Sequence, residues 1–225
     1  MQVVALGGGG FSTHGRANAI DEFVLTLAGV PQPRVCFIAA ASADAESYIS
    51  SFELAFVAAG AITSVIRIDD SLEAARDTLA DQDIVYVGGG DPIGLMAAWR
   101  ETGLDAELRA VARRGVVMSG TSAGGMCWFD VVFDDVSSRM EAGLGLIGGT
   151  LVPHRGEAEA HRAFVARAVA SGLATEAFAV DEEAALHFVD GALLQVVSAA
   201  PGNGAEHLTW SRDGTRSEYL ESIQL

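Results

Sequence analysis

Five short apolar runs mark the first half of the chain: 2–6 (QVVAL), 34–40 (RVCFIAA), 62–68 (ITSVIRI), 83–87 (DIVYV) and 115–119 (GVVMS). They lack polar alternation, the pattern of strands covered on both faces. Between them the segments near 17–29, 44–60, 72–80, 92–101 and 104–114 read as helices. In the second, Phe52, Leu54, Ala55, Phe56 and Ala59 recur at roughly helical spacing. Alternation of strand and helix predicts an α/β fold with a mostly parallel sheet flanked by helices.

After Gly120 the rhythm changes. A short helix follows Ser122, then a polar loop (FDDVSSRME), a strand near LIGGTLVP and a helix near 158–171. The rest reads as extra C-terminal strands: EAFAV, AALHFV, ALLQVVS, EHLTWS and the chain end. Turns such as Asp190-Gly191 and Asp213-Gly214 join them. No repeat or linker interrupts residues 1–225, which are expected to form one domain.

Composition narrows the chemistry. A net charge of −16 repels nucleic acid and anionic lipid, so neither is an expected partner. All 14 cationic side chains are arginine, which removes Schiff bases, Ser-Lys dyads and a P-loop lysine. No apolar run reaches membrane-spanning length. The opening MQVVALGGGG lacks the basic, apolar and cleavage regions of a signal peptide, so a cytoplasmic chain is expected. Cys36 and Cys127 sit among apolar neighbours and are expected in the core rather than in a disulfide or zinc site.

The strongest chemical signal is Gly120-Thr121-Ser122-Ala123-Gly124, a G-x-S-x-G pattern entered from an apolar strand and left through a helical segment. A sharp strand-to-helix turn of this kind lifts a serine above the carboxyl edge of a sheet, and its small neighbours let the backbones approach. Without the flanking strand and helix, a glycine-rich turn with an incidental serine would look the same.

A serine nucleophile needs a base. Of five histidines, His187 lies in an apolar strand pattern and is expected to be packed. His161 falls in a predicted helix, and His207 sits near the C-terminal strands with no partner signal. His154 follows the strand ending at Pro153, which places it at the same sheet edge as Ser122. The acid that would orient it is Asp181, Glu182 or Glu183 after EAFAV, or Asp134 or Asp135 before it.

Backbone N–H groups of Gly88-Gly89-Gly90, after the strand DIVYV, are placed to form an oxyanion hole with that of Ala123. Gly7 to Gly10 misses the dinucleotide fingerprint, because Ser12 stands at its third glycine and the second strand ends in Ala-Ala-Ala-Ser instead of an acid. His154 with His161 lacks the partners of a metal site. No metal and no cofactor are expected.

Together VYVGGGDP, GTSAGGMCW (120–128), LVPH (151–154) and DEEAAL (181–186) resemble peptidase family S51, which includes peptidase E, an aspartyl dipeptidase, and cyanophycinase. The resemblance covers most of the chain. It implies a fold similar to class I glutamine amidotransferases, a flavodoxin-like three-layer sandwich with serine in place of cysteine. It also implies Ser122 as nucleophile, His154 as base, Glu182 as third member, and Gly90 and Ala123 as oxyanion donors. Asp135 is an outside candidate for the acid.

The implied substrate is a small peptide, and a homodimer is compatible with the family. Aspartyl dipeptidases of the family carry an arginine after the histidine that pairs with the substrate's acidic side chain. Alignment on Gly156-Glu157 puts Glu159 there, leaving Arg155 or Arg162 to substitute. Two alternatives share these residues: an amidase or esterase on the same triad, and a silent binding protein of the same fold.

Overall fold

The computed structural model describes residues 1–134, 136–155, 172, 174–211 and 214–225. Strands β1 (Gln2–Leu6), β2 (Arg34–Ile38), β3 (Ile62–Ile66), β4 (Ile84–Val87) and β5 (Val117–Thr121) occupy the five apolar runs. The helices among them are α1 (Phe11–His14), α2 (Ala19–Thr26), α3 (Glu46–Ala58), α4 (Leu72–Ala80), α5 (Pro92–Thr102) and α6 (Leu104–Arg113).

Capping explains where two of these helices start. The Asn18 side chain accepts the N–H groups of Ile20 and Asp21, while Asp21 reaches back to the Asn18 N–H, closing a capping box. Asp91 accepts from Ile93 and Gly94, with Pro92 in the first turn where its missing N–H costs nothing.

After β5 comes the one-turn α7 (Ala123–Met126), followed by β6 (Phe129–Asp134), β7 (Arg139–Ala142) and β8 (Ile147–Val152). Then follow β9 (Glu176–Val180), β10 (Ala184–Val189), β11 (Ala192–Ser198), β12 (Ala205–Ser211), β13 (Gly214–Leu220) and β14 (Ile223–Gln224). The expected polar loop FDDVSSRME is instead part of the β6–β7 hairpin. Val131, Val132 and Phe133 bury its first strand, and the Asp134 carboxylate closes the turn by accepting the N–H groups of Val136 and Ser137. The helix expected near 158–171 lies outside the described residues.

The first sheet is mixed, and mostly parallel as expected. Its order is β14-β11-β10-β1-β5-β4-β2-β3; β3, β2, β4, β5 and β1 run parallel, and β10 pairs antiparallel to both β1 and β11. The C-terminal strands are therefore not a simple extension. β10, β11 and β14 complete this sheet, while β9, β12 and β13 join β6, β7 and β8 in a second one ordered β13-β12-β9-β8-β6-β7. In the second sheet β6, β8 and β9 are parallel.

Residues of the central strands alternate between two cores. Val4, Leu6, Val35, Phe37, Ile84 and Tyr86 face the aromatic layer of Phe11, Phe52 and Phe56, where Phe37 and Phe52 stack with centroids 4.3 Å apart. Val3, Ala5, Cys36, Ile38, Val85 and Val87 face the core that α5 and α6 share with the second sheet. Apolar cover on both faces is why these strands carry no polar alternation. β3 is the exception: as an edge strand it leaves Ile62 exposed.

Candidate active site

Five chain segments meet at the carboxyl edge of the parallel strands: the turns after β1, β4 and β5, and the ends of β8 and β9. Ser122 sits between β5 and α7 with φ 53° and ψ −118°. A non-glycine residue takes that conformation only when its surroundings enforce it. The enforcement is steric and hydrogen-bonded. The Ser122 N–H donates to the Leu6 carbonyl at 3.1 Å, and the Ser122 carbonyl accepts from Gly125 and Met126. Any Cβ on Gly120 would collide with the Gly124 carbonyl, and one on Gly124 with the Val87 carbonyl. The turn can therefore be this tight only with glycine on both sides.

Ser122 Oγ lies 3.0 Å from His154 Nε2, and His154 Nδ1 bonds Glu182 Oε1. A carboxylate only accepts, so in the neutral ring Nδ1 carries the proton and Nε2 presents its lone pair to the serine hydroxyl. His154 and Glu182 are both partly open to solvent. This is an arrangement in which a hydroxyl can lose its proton to an oriented imidazole.

The glycine loop after β4 stands beside Ser122; a Cβ on Gly89 would come 3.3 Å from the Cβ of Ser122. Its amides have distinct fates. Gly88 N–H donates to Ile38, Gly89 N–H to the Tyr48 hydroxyl at 3.2 Å, and Asp91 N–H to Ala41. The N–H groups of Gly90 and Ala123 have no acceptor among the described residues. Unclaimed donors beside a nucleophile are what an oxyanion hole requires.

The three consecutive acids after β9 part company. Asp181 accepts both Arg155 Nε at 2.9 Å and Arg155 Nη2 at 2.8 Å, together with the Gly204 N–H. Glu182 faces His154. Glu183 bonds Asn18 Nδ2 and His14 Nε2, the latter at 3.0 Å.

A family model described as Peptidase family S51 matches residues 3–196. The chain belongs to peptidase family S51. The uncharacterized peptidase YgaJ of Bacillus subtilis strain 168 is 33% identical over 204 residues, covering 89% of each chain. Among solved structures, a peptidase from an acI-B1 actinobacterium superposes with a TM-score of 0.74 at 17% identity, over 100% of this chain and 96% of that one. A putative peptidase E from Listeria monocytogenes EGD-e gives 0.60 at 14% identity, over 98% of both chains. Membership of S51 and the peptidase names of these relatives support a hydrolase of the peptidase type.

Within this S51 chain, Ser122, His154, Glu182, Gly90 and Ala123 converge at one edge. Arg155 does not stand free for a substrate: its guanidinium is held by Asp181 and lies over the Tyr219 ring, 5.2 Å from the centroid. That fork also occupies Asp181, so of the acids after β9 only Glu182 meets the imidazole. Asp134 serves the β6–β7 turn. Asp135, Glu159, His161 and Arg162 lie outside the described residues. His187 is packed as expected, between Gln2 and Gln195. His207, which carries no partner signal in the sequence, bonds Glu176 at 2.8 Å and stacks on Phe178. Cys36 and Cys127 are fully buried free thiols, and burial pushes that of Cys36 up to about 12.

Sequence reasoning missed the role of the first glycine loop. Leu6, Gly7 and Gly8 offer successive carbonyls to the N–H groups of Ser122, His154 and Glu183, at 3.1, 3.0 and 3.3 Å. One stretch of backbone thus sets the spacing of all three turns that carry the site. The signal lay in the glycines: a Cβ on Gly8 would fall on the Glu182 carboxylate, and one on Gly7 on the Asp181 carbonyl.

Proposed function

We propose that this chain is a serine peptidase of small peptides that acts through an acyl-enzyme on Ser122. The observation that carries the reading is the 3.0 Å approach of Ser122 Oγ to a His154 ring whose other nitrogen is held by Glu182. His154 Nε2 takes the hydroxyl proton as Oγ forms a bond to the substrate carbonyl carbon. The oxygen that gains charge is met by the N–H groups of Gly90 and Ala123, each donor of this kind contributing on the order of 3 kcal/mol. Glu182 stabilises the imidazolium. That proton then passes to the leaving amine as the C–N bond breaks, and water, deprotonated by the same imidazole, releases the acyl group.

Support also comes from the two unclaimed amides and from the positive φ that presents Ser122. The architecture in this reading is the serine counterpart of the class I glutamine amidotransferase fold, with the elbow at the carboxyl edge of β5. The compartment is the cytoplasm, where buried thiols stay reduced. With Arg155 engaged by Asp181, preference for an acidic N-terminal residue is not part of the proposal. The test is a dipeptide panel, with Ser122→Ala as control and fluorophosphonate labelling mapped to Ser122. Hydrolysis that survives Ser122→Ala, or a wild type that neither labels nor hydrolyses, overturns the reading.

A further inference from the structure

Glu183 does not touch His154 or Ser122, yet it is more heavily engaged than its catalytic neighbour. Its carboxylate takes the Asn18 amide and His14 Nε2. Its N–H donates to Gly8, and its carbonyl accepts the Ser198 hydroxyl at 2.8 Å and the Ala199 N–H at 2.9 Å. All this holds a backbone with φ 54°, which side-chain-bearing residues adopt only under constraint.

The partner Asn18 is itself fixed as the N-cap of α2. The contact therefore joins a rigid helix start to the turn between the two sheets. Gly9 runs alongside: a Cβ there would strike Glu183 Oε1, while one on Gly8 would strike Glu182 Oε2. The two glutamates point to different sides of one short turn, and the glycine loop fills the space against both carboxylates.

We propose that Glu183, clamped by Asn18 and His14, is a positioning residue that orients the β9–β10 turn so that the Glu182 carboxylate meets His154 Nδ1. The inference rests on the serine-peptidase reading and extends it. Release of the clamp lets the turn leave its constrained conformation. Glu182 then loses its aim at the imidazole while the serine elbow, held by Leu6 and its own glycines, stays in place.

The experiment compares wild type with Glu183→Ala, Glu183→Gln and Asn18→Ala, each first shown to be folded by its thermal transition. Glutamine keeps an oxygen for the Asn18 amide and an NH2 for neutral His14, so it tests geometry apart from charge. In Glu183→Ala, kcat on the best dipeptide should fall by about tenfold to a hundredfold, the cost of misplacing a reacting geometry by about an ångström. KM should change less than about twofold, and Glu183→Gln should recover most of the loss.

A second readout is independent of turnover. The downfield proton resonance of His154 Nδ1–H, present in wild type and Glu183→Gln, should broaden or shift upfield in Glu183→Ala and Asn18→Ala. If Asn18→Ala fails to fold because its helix cap is gone, the Glu183 pair carries the test alone. Equal kcat and an unchanged Nδ1 resonance in Glu183→Ala overturn the proposal while leaving Ser122 labelling, and the peptidase reading, intact. A wild type inert to the fluorophosphonate overturns both.

Discussion

Two glycine-rich turns sit side by side at the carboxyl edge of neighbouring parallel strands. The one after β5 carries Ser122 on a strained bend. The one after β1, Gly7 to Gly10, carries no reactive side chain. Yet Leu6 at its entrance and Gly7 and Gly8 within it accept the N–H groups of Ser122, His154 and Glu183. In the proposed mechanism the first turn holds the chemistry and the second holds the spacing. A motif search finds only the former, because a serine in G-x-S-x-G is visible as a residue type whereas a row of backbone acceptors is not. Glycine serves differing ends in the two places. Around Ser122 it lets backbones touch; at Gly8 it leaves room for the Glu182 side chain.

The comparison can be broken or sharpened by substitution. Ser122→Ala removes the nucleophile of the proposed mechanism, and should lower kcat on dipeptides by on the order of 10⁶. A loss of tenfold or less, in a steady-state assay, would show that the elbow does not hold the chemistry. Glu182→Gln keeps size but loses the acceptor pair that fixes the imidazole tautomer. A fall of about 10⁴ in kcat with KM little changed is expected, by analogy with asparagine in place of a triad aspartate.

Gly8→Ala tests the second turn directly. The new methyl competes with Glu182 Oε2, so kcat should drop by on the order of 10² while Ser122 still reacts with a fluorophosphonate. Unaltered kcat would mean the loop spaces nothing.

Asp21 tests how the same loop is anchored. Its carboxyl is buried beneath Gly10, accepts the Asn18 N–H and the Tyr86 hydroxyl, and is pushed up to about 6 by burial from an ordinary value of 3.8. Between those values the folded chain holds a proton that the unfolded chain has released. Stability is therefore greatest below the lower value and declines as pH rises through the higher one, by up to about 3 kcal/mol at 1.36 kcal/mol per unit. Asp21→Asn should lose this component. Urea unfolding of both proteins from about pH 4 to about pH 7 measures it as the difference between two slopes, and parallel slopes would refute it.

The smallest effect is expected at the neighbouring glycine loop after β4. Tyr48→Phe frees the Gly89 N–H without touching those of Gly90 and Ala123. A change in kcat within about tenfold, the worth of one neutral hydrogen bond, is predicted. A loss of about 10³ would instead mark Tyr48 as part of the transition-state machinery.

Read alone, the chain determined its five parallel strands, the helices between them and the elbow at Ser122. These depend on local patterns: strands covered on both faces are apolar throughout, and a strained turn demands small residues at fixed offsets. His154 could be singled out because its strand ends at the right edge. The division of the C-terminal strands between two sheets was not legible, since a strand's own residues do not say which edge it will join. Nor was the β6–β7 hairpin, whose buried Val131, Val132 and Phe133 stand beside a polar turn.

Least legible was the sorting of Asp181, Glu182 and Glu183, three adjacent acids with nearly the same chemistry. Their fates were decided by what the fold brought to each: an arginine fork, an imidazole, and an amide at a helix start. All three partners come from segments distant in sequence or from another strand's end. Only the packing of the β9–β10 turn against a glycine loop from β1 chooses among them, because that contact sets the direction in which each carboxylate leaves the backbone.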